Sequence, residues 1–597
     1  MTMHRALITV GCALTTVLAT AWATPSSTPP TAKSTAATTS TATTATKSSA
    51  ALVTTSTTTA PVTTRTPPTT TKATAAVTVR THDGLLRGTA HDGYRTFQGI
   101  PYAAPPLGRL RWTPPRPAAS WHGVRDAARP ASACPQPAGE VPGGSTDEDC
   151  LYLNVTTPGP TPAATGTGPT TRTALTTRTA ATTRTVAPDR RPVIVWLHGG
   201  GFTTGAGSSY DAHRMATRGG VVVVTVNYRL GALGFLAHDR LPGSGTFGLA
   251  DQQAALRWVR DEIGAFGGDP HNVTLAGESA GGYSVCAQFV SPAAAGLFER
   301  AVIQSGPCTG RPDRPFAPSS VPLSDARAAG ADLATRLGCG RARVRAREAL
   351  ACLRRVPVSR ILEAQGADQQ PAYATGLLPQ DPAAALAAGR FHHVPVLLGG
   401  NHDEGNGWAA GIIQAGNPVT PGTWPDVAAA FFPAPGQAEA IVRAYPVHES
   451  DGGPVFGAVI GDANFACPTA RTGTLLAARV PLWRYEFADE HAPPLTPGTP
   501  PFPLGAPHAS ELPYLFDLGG RPREMTPAQH RLANTMIDYW TRFATAADPA
   551  SPGSPPWPRH TVLSLVPDDV TPVRTGAFSA HHHCAFWNTL GGDPEEE

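Results

Sequence analysis

Residues 274–282 read Thr-Leu-Ala-Gly-Glu-Ser-Ala-Gly-Gly, and they place a serine where a strand must turn sharply into a helix. Val273, Leu275 and Ala276 have the apolar character of a buried strand end, while Ala280, Gly281 and Gly282 keep the turn uncrowded. Ser279 is thereby expected to stand exposed on a nucleophile elbow, beside the free N–H groups that open a helix. A G-x-S-x-G pattern arises by chance in glycine-rich chains, so its surroundings decide its meaning.

Acyl transfer puts negative charge on a former carbonyl oxygen, which needs donors already aimed at it. Upstream, the apolar run Pro192–Leu197 leads straight into His198, Gly199, Gly200, Gly201 and Phe202. Glycines let backbone N–H groups face a cavity with no Cβ in the way. The amides of Gly200, Gly201 and Ala280 are therefore the expected oxyanion hole. A plain glycine-rich loop is the alternative, disfavoured by the strand before it and the elbow after it.

A serine also needs a base, and the base needs an orienting group. With 19 histidines present, chain order has to help, and in this class of fold it runs serine, acid, histidine. Val394–Gly400 reads as a strand followed by Asn401, His402, Asp403 and Glu404; Val480–Phe487 reads as another, followed by a Pro/Gly loop holding His508. Ser279, Glu404 and His508 fall in the required order, each beyond a candidate strand, with Asp403 the local rival to Glu404.

On these motifs the chain resembles the type B carboxylesterases, the family that also contains cholinesterases and some lipases. The matching segments are Gly99–Trp112, Glu148–Val155, Val193–Phe202, Val226–Leu236, Gly248–Val259, the elbow, Ala301–Gly306, the Asn401–Gly405 loop and Gly505–Phe516, in family order over most of residues 77–590. The resemblance implies an α/β-hydrolase fold: a mostly parallel central sheet flanked by helices, with long excursions and an active-site gorge. It implies Ser279 as nucleophile, His508 as base and then acid, and Glu404 as orienting carboxylate. It also implies two structural ion pairs, Arg229 with Asp462 and Arg111 with Glu148. Cys134 is expected to join Cys150, Cys339 to join Cys352, and Cys467 to join Cys584. Cys286 and Cys308 are left over, as a fourth bond or as buried free thiols. Such disulfides point to an oxidising, extracellular setting.

Residues 1–23 read as a secretory signal: His4 and Arg5, a moderately apolar stretch, then Ala21, Trp22 and Ala23 before a cleavage point. An uncleaved anchor is the rival, but the stretch is short and Thr-rich, and no stable membrane insertion is expected after cleavage. Residues 24–76 are almost entirely Thr, Ala, Ser, Pro and Val, a composition that cannot bury enough apolar surface to offset ordering. Residues 156–190 repeat that composition inside the domain and are expected to be a surface loop rather than a lid, since a lid needs apolar residues. Residues 591–597 form an acidic tail. The net charge is +3, all three Lys (Lys33, Lys47, Lys72) lie in the Thr-rich leader, and no basic run alternates with aromatics, which argues against nucleic acid.

His581, His582, His583 and Cys584 resemble metal ligands, but adjacent residues cannot all converge on one ion and Cys584 is better used in a disulfide; neither metal nor cofactor is expected. Phe202 and Trp408 are candidate pocket-lining residues, with packing the other reading. The loop between Cys134 and Cys150, where cholinesterases hold a quaternary ammonium against tryptophan, has no aromatic residue. Choline esters are thus not the expected substrates; small-molecule esters with short or medium acyl chains or aryl groups are, with a triacylglycerol lipase or sterol esterase as the alternative. The competing reading is an inactive adhesion or scaffold protein on the same fold.

Overall fold

The computed structural model describes residues 75–590, apart from 160–189, 312–313, 315, 317–319, 341–345, 367–368, 449–450, 496 and 551–552. The signal reading, nearly all of the Thr-rich leader and the acidic tail fall outside the described residues. Ala75 and Ala76, read as the end of the leader, open the first strand.

A 13-stranded sheet organises the fold. In chain order its strands are β1 (Ala75–Arg80), β2 (Leu85–Ala90), β3 (Tyr94–Pro101), β4 (Val124–Asp126), β5 (Tyr152–Pro158), β6 (Arg191–Leu197), β7 (Val222–Val226), β8 (Gly268–Glu278), β9 (Arg300–Gln304), β10 (Val396–Asn401), β11 (Leu482–Phe487), β12 (Thr561–Val566) and β13 (Asp569–Arg574). Across the sheet they lie β1-β2-β3-β5-β7-β6-β8-β9-β10-β11-β12-β13, with β4 beside β2. From β7 through β12 every neighbouring pair is parallel. Antiparallel strands flank this core on both sides.

Parallel strands joined by helical crossovers are covered on both faces, which is why β7 is valine-rich and wholly buried. Alternate residues serve opposite layers. Val193, Val195 and Leu197 of β6 pack with Leu256 and Val259 of α1 (Phe247–Glu262) and with Val285 and Phe289 of α2 (Ala280–Val290). Ile194 and Trp196 face the other side, toward Leu532, Met536, Tyr539, Trp540 and Phe543 of a long helix at Pro527–Ala546. That helix starts as its sequence dictates: the Thr526 hydroxyl accepts from the Gln529 amide at 3.2 Å, and the Gln529 side chain accepts from the Thr526 amide at 2.9 Å.

All four disulfides form: Cys134–Cys150, Cys339–Cys352, Cys467–Cys584 and also Cys286–Cys308, the pair the sequence left open. Arg111 pairs with Glu148 as expected. Arg229 does not pair with Asp462. Its guanidinium forks onto both oxygens of Asp251, at 2.7 Å each, because α1 packs directly beneath the turn that follows β7. Both partners are buried, and an unpaired charge there would be strongly unfavourable.

The insertion begins later than its composition suggested, since Thr156–Pro158 complete β5. β5 runs antiparallel to β7 while β6 runs parallel to it, with Thr156 opposite Val223 and Val193 opposite Val222. Its two ends therefore sit at the amino ends of the parallel strands. Ser279 and Glu404 follow the carboxyl ends of β8 and β10.

Candidate active site

β8 ends at Glu278 and α2 begins at Ala280, so Ser279 alone makes the turn, with φ 55° and ψ −123°. Holding a non-glycine residue there costs about 1–3 kcal/mol and requires the surroundings to enforce it. The Ser279 amide donates to the Gln304 carbonyl at 2.9 Å, and the Ser279 carbonyl accepts from the Tyr283 amide at 2.9 Å. Gln304 is fixed in turn: its side chain donates to Glu511 at 2.9 Å and accepts from the Trp540 indole at 2.8 Å. Gly281 permits a close approach, because a Cβ there would lie 2.0 Å from the Leu197 carbonyl oxygen. The start of α2 is thus pressed against the end of β6.

That contact brings the glycine loop to the elbow. Gly200 and Gly201 adopt φ of 97° and 59°, and the amides of Thr203 and Thr204 close the turn on the Gly200 carbonyl at 3.0 Å each. A Cβ on Gly199 would stand 3.2 Å from that of Ser279. His198 belongs to the frame: it stacks on Tyr228 at 4.4 Å between ring centres, and burial pushes its imidazole down to about 4, keeping it neutral. Phe202 is buried and packs edge-on against Phe235 at 5.1 Å, in the core beneath the loop.

His508 Nδ1 lies 2.5 Å from Glu404 Oε2. The other Glu404 oxygen accepts from the Asn401 amide at 2.8 Å, and the Glu404 carbonyl accepts from the His508 amide at 3.3 Å. Trp408 and Phe465 flank the imidazole at 4.8 and 4.9 Å between ring centres. Asp403 is occupied elsewhere, accepting from the Ala506 amide at 2.9 Å. The free edge of the ring turns toward the elbow: Nε2 is 3.3 Å from Glu278 Oε1, without a directed hydrogen bond. Among the described residues, no hydrogen bond engages the Ser279 hydroxyl. Ser279, Glu404 and His508 thus share one end of the sheet, with the Ser279 hydroxyl and the Nε2 edge of His508 both without a hydrogen bond among the described residues.

The electrostatics follow from crowding carboxyls around one imidazole. Burial opposes the charged form of His508, but Glu404, Glu278 and Glu511 outweigh it and push the imidazole up to about 9. Burial raises Glu278 well above the usual carboxyl range and raises Glu511 as well. These two carboxyls, with Gln304 and Asn401, escaped the sequence reading. Glu278 lies inside the elbow motif and could have been found there. Glu511 has no local signal, because its partners come from β9 and β10. Glu140 was missed too: it lies on the Cys134–Cys150 loop, accepts from the Thr204 hydroxyl at 3.2 Å, and is raised by burial. From the same loop Gln136 both accepts from the Gly205 amide and donates to its carbonyl, docking the loop on the glycine turn.

Residues 75–587 match the family model described as Carboxylesterase family. Para-nitrobenzyl esterase of Bacillus subtilis (strain 168) is 34% identical over 483 residues, covering 76% of this chain and 87% of that protein. Cocaine esterase of Homo sapiens is 31% identical over 524 residues, covering 82% of this chain and 86% of that protein. Among solved structures, a thermophilic PNB esterase superposes with a TM-score of 0.67 at 30% identity, over 85% of this chain and 99% of that one. A second PNB esterase gives 0.64 at 32% identity, over 83% and 97%.

Proposed function

The chain belongs to the carboxylesterase family, and from that premise we propose that it hydrolyses carboxylic esters through an acyl-enzyme on Ser279. His508 Nε2 takes the Ser279 proton as Oγ attacks the ester carbonyl, and Glu404 holds the imidazole in the tautomer that leaves Nε2 free. The amides of Gly200, Gly201 and Ala280 receive the oxyanion of the tetrahedral intermediate; losing one such donor costs about 3 kcal/mol in the transition state. The intermediate collapses as the same proton passes to the departing alcohol. Water then repeats the sequence on the acyl-enzyme and regenerates Ser279.

The observation that carries this reading is the 2.5 Å contact between His508 and Glu404, with Nε2 turned toward the elbow and not hydrogen-bonded. Catalytic hydrogen bonds are often long before substrate arrives, and the Ser279–His508 contact is the one that substrate closes. Short and aryl esters are the proposed substrates, in keeping with the names of the para-nitrobenzyl esterase relatives. The disulfides support secretion. Among the described residues no helix is long and apolar enough to cross a membrane.

A fluorophosphonate probe tests the nucleophile directly. The wild-type protein should become labelled and lose p-nitrophenyl ester turnover, while Ser279→Ala should resist labelling and lack turnover with an unchanged circular dichroism spectrum. A folded wild-type protein that takes no label would point back to an adhesion or scaffold role.

A further inference from the structure

A second histidine–carboxylate cluster lies apart from the triad. Glu486 on β11 is approached by two imidazoles: His402, in the loop after β10, places Nδ1 3.0 Å from Glu486 Oε1, and His582 places Nε2 2.7 Å from the same oxygen. The three ligand atoms lie within 4.8 Å of one another. Tetrahedral zinc with bonds of about 2.0–2.2 Å needs its nitrogen and oxygen ligands roughly 3.3 Å apart, so small side-chain movements suffice.

The surroundings are those of a metal site as well. A ligating imidazole uses one nitrogen and keeps the other hydrogen-bonded, which fixes ring and tautomer. His582 Nδ1 lies 2.6 Å from Asp462 Oδ1, and His402 Nε2 lies 3.2 Å from His581 Nε2. Asp462 is itself held, since the Tyr445 hydroxyl donates to its second oxygen at 2.7 Å and the Trp587 indole donates to Tyr445 at 2.8 Å. The helix carrying Asp462 widens into a single π turn over Asp462–Ala466, a distortion that recurs at functional positions. The Cys467–Cys584 bond fastens this turn to the segment bearing His582. His582 is buried, whereas His402 is 29% exposed, which leaves a solvent-facing position for water.

We propose that His402, Glu486 and His582 bind one zinc-class divalent cation, with a water completing the shell. Two neutral imidazoles and one carboxylate suit Zn²⁺, and Co²⁺ accepts the same set. On binding, the lone pairs of His402 Nδ1, His582 Nε2 and Glu486 coordinate the ion, and any proton shared among them leaves to solvent. The ion would join the loop that also carries Glu404 to β11 and the C-terminal segment. Of the consecutive histidines only His582 would be a ligand, with partners from residues 402 and 486.

The full-length protein, stripped with chelator, is titrated with Co²⁺ and followed by visible absorption, then with Zn²⁺ in competition. One ion per chain with micromolar or tighter affinity and a low-symmetry Co²⁺ band is expected. His402→Ala and Glu486→Gln should each weaken binding at least 10-fold, and Asp462→Asn by about 10–100-fold through the outer contact. No saturable binding by the wild type, or equal affinity in folded His402→Ala, overturns the proposal. Should a variant fail to fold, the wild-type stoichiometry and Co²⁺ spectrum still decide it. Neither readout depends on esterase activity, so the triad assignment stands or falls separately.

Discussion

His508 and His582 are each set between two carboxyl groups, and both imidazoles are pushed up to about 9 against the effect of burial. They differ in the second nitrogen. His582 has both nitrogens tightly engaged, at 2.6 Å by Asp462 and 2.7 Å by Glu486. His508 has one nitrogen clasped by Glu404, while the other faces Glu278 at 3.3 Å with no directed bond. The carboxyls respond oppositely. Burial opposes ionisation of Glu486 but hydrogen bonds from His402 and His582 pull it down to about 2, whereas Glu278 is driven well up by burial. Taking a proton from a serine needs a free imidazole nitrogen, and the fold leaves one at His508 while both nitrogens of His582 are held by carboxylates.

The sharpest way to break this comparison is to remove each ring. His508→Gln should lower kcat on a p-nitrophenyl ester by roughly 10⁵–10⁶, as loss of the base does in related chemistry, with little change in melting temperature. Glu404→Gln should cost about 10⁴ in kcat by losing the productive tautomer, and Asp403→Asn much less. If the two carboxyl variants lost activity equally, Asp403 would share the orienting role. His582→Gln leaves Asp462 and Glu486 without the imidazole that bridges them and should destabilise the fold by about 3–5 kcal/mol, read in urea unfolding. Wild-type stability in that variant would show that the closed histidine contributes nothing.

The smallest effect sharpens the comparison instead. The base works as the neutral imidazole, so a raised pKa means kcat/KM climbs as pH rises through about 9. Glu278→Gln removes one of the carboxyls that raise it, and the rising limb should move toward neutral pH. A limb that stays in place would leave Glu404 and Glu511 as the effective neighbours.

The three residues of the proposed triad were legible as candidates because each sits on its own local signal: a glycine-flanked elbow, a carboxylate just past an apolar run, a histidine in the expected later loop. The capping box of Thr526 and Gln529 is local in the same way, needing only two residues three apart. What failed was partner choice over distance. Arg229 demanded a buried carboxylate, but whether Asp251 or Asp462 answered depended on how α1 packs under β7, which no spacing reveals. His402, Glu486 and His582 meet only because β10 and β11 are neighbours and a disulfide folds the C-terminal segment back onto them. Cys286 and Cys308 stayed ambiguous for the same reason: their pairing needs α2 laid against the exit from β9.

The strand directions around the low-complexity insertion carry a practical consequence. Pro158 and Arg191 leave and re-enter the sheet on the rim turned away from Ser279. A fluorescent tag, an affinity handle or an immobilisation tether spliced between Gly159 and Arg190 would hang from the back of the enzyme, leaving the substrate's approach unobstructed.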